Sequence, residues 1–139
     1  MFRAWVRLVQ WIRRSSWRLT GRPRGVHALA LTPQRRIVLV KLTYAADWRL
    51  PGGGCKRSED ARQAVLRELT EEIGMLRHGP IEEVAAADPE DGGTVFIVSD
   101  VEYAPRRTFE VAKVGEFDPA HLPDDVSRLW RGLIERLCS

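Results

Sequence analysis

Residues 53–75 read GGCKRSEDARQAVLRELTEEIGM, and this stretch decides the fold. It divides into a glycine-rich lead, a polar turn and a helix. Ser58 suits the N-cap, and Glu59 and Asp60 suit the first turn, where the helix dipole favours anions. The helix is expected to run to Ile73 and to stop at Gly74, because glycine adopts the left-handed conformation of a helix end without steric cost. On a 3.6-residue repeat, with Glu68 at 0°, Glu71 and Glu72 fall at about −60° and +40°. Leu66, Leu69 and Ile73 fall at about 160°, 100° and 140°, the side that packs on a sheet. Ala61 and Ala64 flank the carboxylates and leave room above them.

Three carboxylates on one helical face repel one another. Each exposed like-charge pair at this spacing costs a helix ~0.2–0.5 kcal/mol. In a cleft the cost rises and the carboxyl pKa values move up. A hard divalent cation removes the conflict, and oxygen ligands of this kind suit Mg²⁺ or Mn²⁺. Gly52-Gly53-Gly54 is expected to bend tightly and approach a ligand, with a backbone carbonyl at Gly53 completing a metal shell. Taken alone, a glutamate cluster on a helix is more often a solvated face with Glu–Arg pairs.

Outward from this segment, Val26–Leu31 and Arg36–Leu42 are β-rich runs separated by Thr32-Pro33-Gln34-Arg35, the pattern of a hairpin. Thr43–Asp47 is a loop, and Trp48-Arg49-Leu50 a short extended piece. Ile81–Ala87, Thr94–Val101 and Thr108–Phe117 read as further strands. Pro119, Pro123, Asp124 and Asp125 open a last helix, with Val126, Leu129, Trp130, Leu133, Ile134 and Leu137 as its apolar stripe. Strands, a central helix, more strands and a terminal helix give an α+β class, with one helix lying against a mixed sheet.

The charge is unevenly spread. Residues 1–46 carry ten Arg or Lys and no acid, while residues 47–139 carry twelve basic and nineteen acidic side chains. Phe2–Leu19 reads as an amphipathic helix, with Phe2, Trp5, Leu8, Val9 and Ile12 on one side and Arg3, Arg7, Arg14 and Arg18 on the other. Residues 1–22 are therefore set apart from a body at 23–139. Four destinations fit such an arm: the protein's own body, a second copy in a homodimer, a nucleic acid, or an anionic membrane surface met through residues 1–20. No segment is long and apolar enough to span a bilayer. Cys55 and Cys138 form neither a metal-ligand spacing nor a disulfide framework. A cytoplasmic protein, possible at the inner membrane face as a peripheral one, is the expectation.

With these residues in place, the segment resembles the signature of the Nudix hydrolases. Gly53, Glu59, Arg67, Glu68, Leu69, Glu71, Glu72, Gly74 and Met75 fill every fixed position. At ordinary residue usage a chance match is expected on the order of once in 10⁷ chains of this kind. The similarity extends through the strand order across about residues 25–137. It implies a mixed sheet sandwiched between helices, an α/β/α arrangement, and the N-terminal helix is extra to it. It also implies Mg²⁺ or Mn²⁺ and a nucleotide-like small molecule in which a nucleoside diphosphate is linked to another group, with no specific nucleic acid as partner. The glutamates matching Glu68, Glu71 and Glu72 would bind metal, and one of them or a later acid would activate water. Glu110 is the best candidate for that later acid. Arg67 and Glu59 look like an ion pair bracing the loop against the helix. Where many relatives carry glycine and acids, this chain has Ser58, Lys56 and Arg57.

Water attack on phosphorus, giving a nucleoside monophosphate and the remaining phosphate compound, is the reaction expected. Trp48, Tyr44 and Tyr103 are candidate base-stacking aromatics, and Arg106 and Arg107 candidate phosphate contacts; for each, packing or plain surface exposure competes. The alternative is a nucleotide-binding or regulatory module that keeps the fold without hydrolysis. Intact glutamates weigh against it.

Overall fold

The computed structural model describes residues 25–87, 93–106 and 108–138. The amphipathic segment expected over Phe2–Leu19 lies outside them, as does Arg107.

Strand β1 (Gly25–Leu31) is buried at every residue. A run without polar alternation is what a strand covered on both faces requires. It pairs antiparallel with β2 (Ile37–Leu42) through the expected hairpin. In that turn the Arg35 N–H donates to the Thr32 carbonyl at 2.8 Å, and Arg35 takes φ +62°. On its other edge β1 pairs in parallel with β7 (Thr94–Val98), which in turn pairs antiparallel with β6 (Ile81–Ala87). Strands β3 (Trp48–Arg49) and β9 (Val111–Phe117) both pair with β2. Strand β4 (Gly52–Gly54) pairs with the first three residues of β1. The result is a mixed seven-stranded sheet. A second, two-stranded sheet joins β5 (Met75–Arg77) to β8 (Glu102–Tyr103).

Two helices cover the sheet, one on each face. Strand alternation sends Val26, Ala28, Ala30, Val38, Val40, Phe96 and Val98 toward α1 (Ala61–Ile73), where they meet Ala64, Val65, Leu69 and Ile73. The alternate residues Leu29, Leu31, Ile37, Leu39 and Val95 meet Trp130, Leu133 and Ile134 of α2 (Arg128–Cys138). Two apolar layers separated by one sheet make the α/β/α sandwich that the sequence implied.

Four local expectations are corrected. Helix α1 is capped by Asp60 rather than Ser58. The Asp60 carboxylate accepts from the Gln63 N–H at 2.8 Å and the Gln63 side chain accepts from the Asp60 N–H at 3.0 Å. This reciprocal box satisfies two donors that a serine two residues earlier leaves unpaired. The triple glycine is a strand and not a bend: none of its residues takes a positive φ. Its glycines serve close approach, since a Cβ at Gly52 would stand 2.1 Å from the Val26 carbonyl oxygen. β7 ends at Val98 and β9 begins at Val111, both shorter than expected. Finally, Leu129 is 56% exposed. It lies about 100° around the helix from Trp130, at the rim of the buried stripe.

Candidate active site

The site forms where α1 runs beside β4. Gly74 ends the helix as expected, with φ +70° and its N–H donating to the Leu69 carbonyl. The buried arc of α1 contains Ala64, Val65, Glu68, Leu69, Glu72 and Ile73. Glu68 and Glu72 thus lie inside the apolar arc, at its flank, rather than opposite to it. Ala64 is wholly buried and offers no open space above them. A Cβ on Gly53 would stand 2.5 Å from Glu68 Oε1, so only glycine allows the β4 backbone to come this close to that carboxylate. Glu72 Oε2 accepts from the Gly52 N–H at 3.0 Å.

Burial and like charge act on both carboxyls. For Glu72, burial raises the pKa well above the ordinary value, and Glu68, Glu110 and Glu71 push it the same way, opposed by the Gly52 N–H. For Glu68, burial again leads in raising the pKa, Arg67 opposes it, and Glu71 and Glu110 add to the rise. The side-chain charges that bear most on Glu72 are therefore negative. Glu110 sits in the approach to β9, and its carbonyl accepts from the Thr43 N–H at 2.9 Å. The fold thereby brings the later acid within electrostatic reach of both helical glutamates.

Arg67 organises the near side. Its Nε donates to Glu59 Oε2 at 2.7 Å, and its Nη2 to Glu59 Oε1 and to the Gly54 carbonyl, both at 2.9 Å. This fork holds the Glu59 carboxyl down at about 2, and the same pairing raises the guanidinium pKa. The Lys56 N–H also donates to Glu59 Oε1 at 2.9 Å, so one carboxylate ties turn, strand and helix together. The remaining nitrogen, Nη1, donates to Glu68 Oε1 at 3.0 Å and to Glu71 Oε2 at 3.3 Å. Glu71 is turned outward, with its side chain 55% exposed. Of the three carboxylates placed on one face by the helical repeat, Glu68 and Glu72 are buried and Glu71 stays at the rim on Arg67.

The other candidates are dispersed. Trp48 belongs to the α2 side, edge-on to Phe117 at 5.1 Å and under Lys41 Nζ at 5.3 Å, away from the glutamates. The Tyr103 hydroxyl donates to Glu116 Oε1 at 2.7 Å. Arg106 is exposed between β8 and β9. The Cys55 thiol donates to the Glu59 carbonyl at 3.1 Å and packs beside the α1 core. The reading of the sequence missed two backbone groups, the Gly52 N–H on Glu72 and the Gly54 carbonyl on Arg67. The glycine run is their signal, but a tight bend approaching a ligand is what it suggests, and a strand approaching the glutamate helix is what it forms.

Among the described residues, no three His, Cys, Asp or Glu side chains converge tightly enough to hold an ion by themselves. The donor set nonetheless fits a hard divalent cation. Glu68 and Glu72 offer buried carboxylate oxygens, with Glu71 and Glu110 adding negative charge at both, and Gly53 presents bare backbone beside Glu68. Mg²⁺ takes one or two carboxylates and completes its shell with water and substrate phosphate.

Comparison with known proteins places this geometry. The family model described as NUDIX domain matches residues 21–133. A MutT NUDIX hydrolase from Burkholderia pseudomallei superposes with a TM-score of 0.63 at 27% identity, covering 83% of this chain and 98% of that one. A MutT protein from Methanosarcina mazei Go1 gives 0.64 at 21% identity, over 85% and 95% of the two chains. An ADP-ribose pyrophosphatase from Streptococcus suis 89-1591 gives 0.57 at 22% identity, over 84% and 87%. The last two share the fold. With the family pattern matched across most of its length and its glutamates in place, this chain belongs to the NUDIX domain family and is a Nudix-type hydrolase.

Proposed function

We propose that this hydrolase cleaves a phosphoanhydride bond in a nucleoside diphosphate linked to another group, by water attack on phosphorus, with Glu68 and Glu72 as its principal metal-holding residues. The observation that carries the reading is the pair of buried carboxylates, Glu68 and Glu72, whose pKa values are raised first by burial, with the charge of Glu68 adding to the rise at Glu72 and that of Glu71 to the rise at Glu68. Glu68 has Arg67 beside it, but structural economy alone does not favour burying Glu72 next to another acid, because a buried charge without a counter-charge costs several kcal/mol by general estimate (~3–5). Their placement becomes favourable when a cation is shared between them.

Bound Mg²⁺ or Mn²⁺ would supply charge compensation to the phosphate oxygens and lower the pKa of a coordinated water. The chain's own residues then have separable tasks. Glu72, held by the Gly52 N–H, and Glu68 present the ligand oxygens. Gly53 adds a backbone carbonyl. Glu110 is the acid best placed to join from the sheet side. Glu71 would join by exchanging Arg67 for the cation. A carboxylate whose proton affinity is raised by burial is also the group suited to accept a proton from water. Arg67 and Glu59 keep β4 against α1 and act as positioning residues.

Support for the substrate class comes from the family and from the structural relatives. The test is a panel of nucleoside triphosphates, ADP-ribose, dinucleoside polyphosphates and nucleotide sugars, each with Mg²⁺, with Mn²⁺ and with chelator. Release of a nucleoside monophosphate that requires the cation is the expected result. Binding without turnover across the panel would favour the regulatory-module alternative.

A further inference from the structure

Strand β1 begins at Gly25, and Gly25 pairs with Gly54 at the end of β4. Two stretches of chain therefore meet at this corner of the sheet. One is the arm before β1, whose Arg22 and Arg24 stand directly ahead of the strand in the sequence. The other is the turn after β4, Cys55-Lys56-Arg57-Ser58, which leads into α1. Lys56 and Arg57 are exposed in that turn, and so is Arg62 at the start of the helix. The acids of the same turn are committed elsewhere: Glu59 is forked by Arg67, and Asp60 caps α1. The corner that receives a basic arm is thus itself basic, although residues 47–139 as a whole carry more acids than bases.

Like charge at the junction opposes folding the arm back onto this corner and adds to the arm's attraction for an external anion. Residues 1–24 contain seven arginines and no acid. They also contain Trp5, Trp11 and Trp17, with Phe2, Leu8 and Ile12 at helical spacing. A nucleic acid backbone would use the arginines alone. The apolar residues call for a partner that is charged at its surface and apolar just beneath, which is a lipid leaflet. Tryptophan beside arginine is the composition of segments that lie in that interface. We infer that the arm and the Lys56-Arg57 turn together form a docking surface for an anionic lipid bilayer. A single weak signal gives only marginal, reversible attachment, and a second makes it stable. The turn supplies the second, through an attraction that acts within a Debye length, ~8–10 Å. Because the turn follows directly on β4, which lies against Glu68, attachment holds the glutamate site close to the lipid. The inference goes beyond the proposed function, since it concerns where the enzyme works and stands whichever substrate it takes.

The experiment sediments the full chain with vesicles of phosphatidylcholine alone and of phosphatidylcholine mixed with phosphatidylglycerol, at low and high salt. The proteins are wild type, the double variant Lys56→Gln/Arg57→Gln, Trp5→Ala, and Arg77→Gln, which removes an exposed charge at the far end of α1. Circular dichroism confirms that each is folded. Wild type should sediment with the anionic vesicles and not with the neutral ones, and less so at high salt. The double variant should lower the partition coefficient by about five- to thirtyfold at low salt, the effect of two basic side chains near an anionic surface. Trp5→Ala should also lower it, and Arg77→Gln should change it little. No sedimentation with anionic vesicles overturns the inference, as does equal sedimentation with neutral ones. Binding that the double variant or Trp5→Ala leaves unchanged overturns the joint surface, and so does a loss in Arg77→Gln as large as that in the double variant. A single-stranded RNA at equal phosphate concentration should leave most of the protein on the vesicles. RNA that strips the protein from them makes nucleic acid the partner and overturns the lipid assignment.

Discussion

At the scale of single residues, the site is a contest between burial and charge. Glu59 wins its contest through Arg67, and Glu68 and Glu72 do not. A carboxyl held down at about 2 stabilises the fold fully above its ordinary value near 4.5, and that contribution is lost as the pH falls toward 2. Glu59→Gln is expected to cost about 1–3 kcal/mol at neutral pH. The difference from wild type should shrink in urea melts taken between pH 4.5 and 2. The buried pair has the opposite sign. Folded Glu68 and Glu72 keep protons that the unfolded chain releases, so without a bound cation stability should decline as the pH rises above about 4.5. Added Mn²⁺ should remove that decline, and melting curves at pH 5 and pH 8 with and without the ion would show it.

The two neighbouring glycines separate function from folding. Gly53→Ala places its methyl against Glu68 Oε1, the end of a flexible side chain. It should displace the carboxylate and lower turnover by tenfold or more while the melting temperature moves little. Gly52→Ala places its methyl against the Val26 carbonyl, which is fixed backbone in a strand pair. It should destabilise by about 2–4 kcal/mol, in the range of backbone strain and broken pairing. Equal loss of stability in both variants would show that Gly53 serves packing alone.

At the scale of elements, the capping box on α1 is the clearest local device. Asp60→Ala should cost about 1 kcal/mol by denaturant midpoint, and Ser58→Ala close to nothing. This was readable beforehand: Asp60 and Gln63 have the capping-box spacing, but two acids before the helix were read as a first turn favoured by the dipole. The strands of β1 and β2 were legible because their residues are apolar and β-branched and a short turn joins them. Strands β5 and β8 were not. Met75–Arg77 and Glu102–Tyr103 are short and largely exposed, and their pairing depends on contacts across 25 or more residues of chain. No local pattern encodes such a partner. Leu129 shows the same limit from the other side, because helical periodicity cannot tell the rim of a buried stripe from its centre.

At the scale of the whole molecule, one sheet separates two cores with different duties. The α2 core, closed by the wholly buried Trp130, carries stability without touching the glutamates. Trp130→Ala should cost about 3–5 kcal/mol, read by calorimetry or urea melts, with kcat per folded molecule nearly kept. In the proposed function the α1 core carries the chemistry, because the helix that packs on the sheet is the one that holds Glu68 and Glu72. The signature residues were legible together because they share one helix and one loop. Glu110 reaches them only through the pairing of β2 with β9, so its nearness is a property of topology.

The most direct measurement is the Mg²⁺-dependent release of nucleoside monophosphate by wild type and by Glu72→Gln, with circular dichroism confirming that both are folded. Removing the buried charge while keeping the shape should lower turnover by at least two orders of magnitude and leave the spectrum and melting temperature intact. A folded Glu72→Gln protein that turns over at close to the wild-type rate would contradict the assignment of catalysis to the buried pair.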